Sequence, residues 1–215
     1  MVKVAASLLA ADYLNIGDEI NRIAHAGADW LHFDVMDGSF VPNISFGTDM
    51  LKAAIATGRL PCDVHLMIEA PERHIEAFAE AGAAVITVHT EATRHLSRLL
   101  RAIRSCGCLA GVALNPASSP ELIRYVMCEF DLALVMTVNP GLGGQELMPL
   151  AAEKINIISG MLAEAHINAE LEVDGGVNED NAHALINNGA TVLVAGTALF
   201  GARDPAGFIN GVKRA

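Results

Sequence analysis

The 215-residue chain is poor in aromatics: one Trp, two Tyr and seven Phe, 5% in all. With 52% of residues apolar, a large core must therefore be built from Val, Ile, Leu, Ala and Met. Positive charge is also short, 14 Lys and Arg against 25 Asp and Glu, for a formal net charge of −11. That balance excludes a surface made for nucleic acid, whose phosphates need basic partners. It also repels anions at long range, so any phosphate site must be a local device. No apolar run reaches the roughly 20 residues of a membrane span. The N-terminal MVKVAASLLAADYLN lacks a signal-peptide h-region and reads as a strand and a turn. The four cysteines, Cys62, Cys106, Cys108 and Cys128, form no C-x-x-C pair, and Cys62 reads as an inert core thiol. These absences together describe a cytoplasmic protein with reduced thiols, no membrane partner and no nucleic-acid partner.

What is present is a regular alternation. VKVAAS, WLHFD, CDVHLM, VITVH, LAGVALN, LALVMTV, AELEVD and TVLVAG each precede a longer helix-like stretch. The stretch after LAGVALN, for example, is SPELIRYVMCE. Pro71 and Pro120 stand where a first helical turn tolerates proline, and Gly27, Gly82, Gly107 and Gly189 where a helix closes. The strand-like runs are mostly continuous Val, Ile, Leu and Ala, as parallel strands covered on both faces require. Eight such units predict an α/β fold, a single (β/α)8 TIM barrel over residues 1–215 forming one catalytic domain. A doubly wound open sheet is the rival reading. It would carry G-x-G-x-x-G after the first strand, where this chain reads SLLAADY.

In such a barrel, chemistry sits at the C-terminal ends of the strands. Those ends read Ser7, His32 with Asp34, His65, His89, Asn115, Thr137 with Asn139, Asp174 and Gly196. The other five histidines, His25, His74, His95, His166 and His183, fall in helical stretches and read as solvated. In HFDVMDGSFVPN (32–43), strand alternation puts His32 and Asp34 on one face. With His65 and Asp174 they supply two imidazoles and two carboxylates to one barrel mouth. That donor set suits one divalent cation, with Zn, Fe, Mn and Co all admissible, and open positions would admit a chelating substrate. Three glycine-rich segments come last: NPGLGGQ (139–145), DGGVN (174–178) and AGTALFG (195–201). They follow strands six, seven and eight, where barrels commonly hold phosphate through backbone N–H groups. Met36, Met67 and Met136, also near strand ends, would form an apolar wall that excludes water from a reacting carbon.

HFDVMDGSFVPNISFG, DVHLM, NPGLGGQ, EVDGGVN and AGTALF, in this order and near these spacings, closely resemble the ribulose-phosphate 3-epimerase family. The resemblance covers essentially the whole chain. It implies a metal-dependent isomerase of the pentose phosphate pathway that interconverts D-ribulose 5-phosphate and D-xylulose 5-phosphate. It further implies that His32, Asp34, His65 and Asp174 bind the metal, with Asp34 and Asp174 also the catalytic acid/base pair. Ser7 and His65 would meet the sugar. Gly141, Leu142, Gly143, Gly144, Gly175, Gly176, Gly196 and Thr197 would surround the phosphate. The expected partner is a small sugar phosphate, and a homo-oligomer is expected. Leu142 stands where the family loop commonly has Phe, Thr197 where Ser is usual, and Ala10 where a small polar residue is frequent. None of these departures touches a proposed ligand.

Three other readings compete. A non-catalytic phosphate-binding barrel would have no need of four convergent ligands. A metal-dependent hydrolase would not need two acids flanking one carbon, and barrel hydrolases often begin with an H-x-H pair where this chain has AASLL. Within the epimerases, a six-carbon ketose phosphate such as D-allulose 6-phosphate is the nearest alternative substrate.

Overall fold

The structure, a computed structural model, describes residues 2–214; Met1 and Ala215, the ends of the expected span, lie outside the described residues. Eight strands run β1 Lys3–Ser7, β2 Trp30–Met36, β3 Cys62–Met67, β4 Val85–His89, β5 Leu109–Leu114, β6 Leu132–Met136, β7 Glu170–Asp174 and β8 Val192–Ala195. They pair in sequence order, all parallel, and β8 pairs with β1 to close the barrel.

Alternation along the strands separates two interiors. Val4, Leu31, Phe33, Val64, Ile86, Val112, Val135, Val173 and Leu193 point outward into the main apolar core beneath the helices. Their neighbours point into the barrel. Part of that inner space is apolar: Val85, Ala113, Leu132, Leu134 and Met136 form one cluster, and Ala5, Val192 and Val194 another, with Trp30 packed against both. The rest is polar, and wholly or almost wholly buried: His32, Asp34, Asp63, His65, Thr87, His89 and Glu172.

The cover consists of α1 Ile16–Ala26, α2 Thr48–Ala56, α3 Ile75–Glu80, α4 Leu96–Ser105, α5 Pro149–Glu164, α6 Glu179–Asn187, the short α7 Thr197–Phe200 and α8 Pro205–Arg214. Ile20 and Ile23 are the buried residues of α1, and Gly27 ends that helix in the left-handed region at φ 100°. None of the helices among the described residues is long and apolar enough to cross a membrane.

The fifth unit departs from the helix expected of SPELIRYVMCE. Pro120–Glu129 winds as a 3-10 helix instead, with Ser119 capping the Glu121 N–H and Ile123 its buried side chain. The segment must return from the top of β5 to the bottom of β6, where the Asp131 N–H donates to Ala110 O at 2.7 Å. Ten residues rise about 20 Å as a 3-10 helix but about 15 Å as an α-helix. The tighter winding, with its greater rise per residue, gives this short connection the reach it needs.

Candidate active site

At the C-terminal mouth a cavity of about 390 Å³ opens between the strand ends and their loops. Ser7, Asp34, Met36, Met67, Met136 and Asp174 line it on the strand side. Gly141–Gly144, Gly175, Gly176, Gly196 and Thr197 line it on the loop side. Every residue expected at the site falls here except His32 and His65. Both are fully buried beneath the cavity, so neither is part of its lining. Of the five histidines expected in helical stretches, only His25 and His183 lie in helices, while His74, His95 and His166 stand just outside helix ends; all five are exposed.

The four expected ligands converge. One donor atom from each of His32, Asp34, His65 and Asp174 lies within 4.8 Å of all the others. Asp34 Oδ1 is 3.3 Å from His32 Nε2 and 3.3 Å from His65 Nδ1, and Asp174 Oδ2 is 4.0 Å from His32 Nε2. His32 Nε2 is buried and has no hydrogen-bond partner. A buried nitrogen of that kind is costly unless something binds it, and a cation bridging these four groups would. Burial disfavours the imidazolium of His32, but Asp34 and Asp63 more than offset that and raise its pKa well above the ordinary value. The space between the carboxylates thus favours positive charge. Burial pushes His65 down to about 4, against the pull of Asp34, which keeps it neutral as a ligand must be. The cluster can hold a metal.

The two carboxylates facing the cavity differ in state. Burial would raise Asp34, but His32 and His65 outweigh it and hold the carboxyl well below the usual carboxylate range. Ser7 Oγ also donates to Asp34 Oδ2 at 2.7 Å. Asp174 is pushed up to about 7, by burial and then by the charge of Asp34.

Sequence reasoning missed the residues one row deeper. The His32 ring contacts Asp63 Oδ2 at 2.7 Å through Nδ1, and Thr87 Oγ1 donates to Asp63 Oδ1 at 3.3 Å. With Nδ1 directed to Asp63, His32 presents Nε2 to the cluster. Glu172 Oε1 is 3.7 Å from His32 Nδ1. Burial, with the charge of Asp63, raises its pKa well above the ordinary value. A signal for both was available. Asp63 precedes His65 by two and Glu172 precedes Asp174 by two, the same spacing and face as His32 and Asp34.

The loop side is built from backbone. No Lys or Arg lines the cavity. Thr137 fixes the turn after β7, its N–H donating to Asp174 O at 2.8 Å and its Oγ1 2.6 Å from Gly175 O. Asn43 Nδ2 donates to Gly141 O at 2.7 Å, tying the loop after β2 to the loop after β6. Gly176 has φ 68°, and a Cβ there would stand 2.5 Å from Leu147 N. At Gly196 a Cβ would meet Ala10 Cβ at 3.5 Å, Ser7 Cβ at 3.6 Å and Ser7 Oγ at 3.9 Å, all ordinary contacts. Gly176→Ala must therefore displace the loop after β6, and it should lower kcat/KM by about a hundredfold, as misplaced binding groups do. Gly196→Ala should be much milder, and steady-state kinetics of the two purified variants will show the order.

Residues 3–200 match the model of the ribulose-phosphate 3-epimerase family. The chain is 47% identical over 205 residues to the ribulose-phosphate 3-epimerase of Bacillus subtilis, covering 95% of this chain and 94% of that one. It is 45% identical over 212 residues to the chloroplastic ribulose-5-phosphate-3-epimerase of Arabidopsis thaliana, covering 98% and 75%. A solved structure of 3-keto-L-gulonate-6-phosphate decarboxylase from Vibrio cholerae superposes with TM-score 0.71 at 14% identity, covering 99% and 97%, which establishes likeness of fold alone. By the family match and by identity over nearly its whole length, the chain belongs to the ribulose-phosphate 3-epimerase family.

Proposed function

We propose that residues 1–215 form one catalytic domain that interconverts D-ribulose 5-phosphate and D-xylulose 5-phosphate by proton transfer at C3. The observation that carries this reading is the pair Asp34 and Asp174. They come from β2 and β7 and face one cavity; Asp34 is held ionised, while Asp174, pushed up to about 7, can carry a proton near neutral pH.

Epimerisation at a carbon beside a ketone needs a base on one face and an acid on the other. In one direction Asp34, ionised, takes the C3 proton, and an enediolate forms across C2 and C3. Asp174, protonated, then delivers a proton to the opposite face of C3. The two carboxyls finish with their states exchanged, and the reverse reaction restores them. Ser7, donating to Asp34 Oδ2, holds that carboxylate in place. His32, Asp34, His65 and Asp174 would hold one divalent cation, of which Zn, Fe, Mn and Co all suit the donors. When bound it would act as a Lewis acid that offsets the negative charge developing on the substrate oxygens.

Met36, Met67 and Met136, almost wholly buried at the floor, keep water and rival proton donors from the planar carbon. Backbone N–H groups of the loops carrying Gly143, Gly144, Gly175, Gly176, Gly196 and Thr197 would bind the phosphate, since no basic side chain reaches the cavity.

A coupled assay of purified enzyme with ribulose 5-phosphate and allulose 6-phosphate tests the reading. The pentulose phosphate should be the better substrate by kcat/KM. A clear preference for the hexulose phosphate would reassign the substrate, and no turnover of either would overturn the proposal.

A further inference from the structure

Three imidazoles are fully buried inside the barrel, and the proposed metal cluster uses only two. The third, His89, ends β4, and its Nε2 lies 2.8 Å from Nε2 of His65. A neutral imidazole carries one N–H, so a hydrogen bond between these two nitrogens has a direction. On its other side His89 Nδ1 is 3.3 Å from Glu91 Oε2. The second oxygen, Glu91 Oε1, accepts the Asn115 N–H at 3.0 Å and the Ser118 hydroxyl. Burial would raise the Glu91 carboxyl, but His89, Ser118 and the Asn115 N–H outweigh it and hold it at about 2. The turn that supplies these donors is itself pinned. Lys154 Nζ, from α5, donates to Asn115 O at 2.6 Å.

Two proton placements satisfy the contact between the rings. In the first, His65 Nε2–H donates to His89, and His89 Nδ1–H donates to Glu91. His65 Nδ1 then keeps its lone pair, aimed at the cluster, where Asp34 Oδ1 is 3.3 Å away. In the second, His89 donates to His65, a lone pair on His89 Nδ1 faces an anionic carboxylate, and His65 Nδ1 bears a hydrogen. A nitrogen in that state cannot ligate. Without a cation each placement turns one lone pair to a carboxylate at 3.3 Å, Asp34 in the first and Glu91 in the second. A cation at His65 Nδ1 would relieve the first, while Glu91 gains a charge-assisted hydrogen bond from His89 in that placement alone. We propose that Glu91, acting through His89, selects the His65 tautomer whose Nδ1 is free to bind a divalent cation. Glu91 and His89 are thus positioning residues, and the assignment rests on reading His32, Asp34, His65 and Asp174 as a metal site.

The test uses the full chain, 15N-labelled and stripped of metal, and two independent readouts. Long-range 15N–1H correlation spectra report which ring nitrogen of each histidine is protonated. Once Zn2+ is bound, wild-type His65 should carry its proton on Nε2 and His89 on Nδ1, and the metal-free chain sets the baseline for the variant. Glu91→Gln, nearly isosteric and able to donate as well as accept, should shift His65 toward the Nδ1–H form. Titration with Zn2+ against a competing chelator should show Glu91→Gln binding about 10- to 100-fold more weakly, the range for partners of metal-binding histidines. A merely structural role for Glu91 would leave the tautomer unmoved. A Zn2+-loaded wild type in which His89 Nδ1 bears no proton, or an unchanged tautomer balance and affinity in Glu91→Gln, would overturn the relay. Failure of the wild-type chain itself to take up Zn2+, Mn2+, Co2+ or Fe2+ would instead overturn the metal reading on which it rests.

Discussion

Asp174→Asn will fold and will stop completing epimerisation, with kcat lower by at least about a hundredfold, the low end for general acid–base catalysis. Asn matches Asp in shape but neither gives nor takes the proton on its face of C3. Folding is not at risk, as the sign of the linkage shows. Asp174 is an acid whose folded pKa, about 7, lies above its ordinary 3.8. Its contribution to stability is therefore unfavourable, absent below pH 3.8 and growing as pH rises toward 7. Removing the charge removes that penalty, so the Tm of the metal-free Asn variant at pH 8 should match or exceed that of the metal-free wild type. Asp34→Asn should lose epimerisation equally. Either variant can still exchange the C3 proton of one epimer with deuterated solvent, and the favoured epimer should be opposite in the two. Metal content must be measured alongside. Two metal-replete variants that epimerise at near-normal rates would end the two-carboxylate mechanism.

Metal removal should be nearly as damaging. A C3 proton beside a ketone is weakly acidic, and Lewis-acid stabilisation of the enediolate oxygens is worth several kcal/mol. Thoroughly chelated wild-type protein should lose at least about a hundredfold in kcat and recover it on addition of a divalent cation. Retention should weaken as pH falls, because the His32 imidazole, with its raised pKa, must lose its proton to ligate and protons compete with the cation for the carboxylates. Chelation is the cleaner tool than His65→Ala. His65 is fully buried against His89, so truncation would leave a hole and an unpaired nitrogen as well as a missing ligand. Full activity in protein with no detectable metal would sink this account.

The barrel was legible because its signal is periodic and repeated. Each strand-like run is closed by turn residues, and each carries its polar residue at one end. Asp34, Asp174 and the glycine loops could be placed at the mouth from that rule alone. Asp63 and Glu172 were not found because the rule reads only strand ends, whereas they sit two residues deeper on the same face. Their two-residue offset from His65 and Asp174 does put them on the inward face, but a reading of strand ends alone passes over it. His89 was visible as a strand end, but its contact with His65 depends on the pairing of β3 and β4, a relation between segments 24 residues apart. The 3-10 winding of Pro120–Glu129 was hidden for a different reason. Apolar residues at 123, 126 and 127 suit an α-helix as well as they suit a 3-10 helix, and the span to be crossed is a property of the finished barrel.

That 3-10 segment also sets where the barrel wall yields first. Its hydrogen bonds have the poorer geometry of i→i+3 pairing. Ile123 is its buried anchor, while Leu122 and Tyr125 are 55% and 92% exposed. By contrast α5, beside it, buries seven side chains from Ala151 to Leu162. Local opening free energy follows buried apolar contact and protected backbone bonds. The amides of residues 121–129 should therefore exchange faster than those of α5, and the gap between α4 and α5 that the segment fills is the seam where solvent enters before the molecule unfolds as a whole.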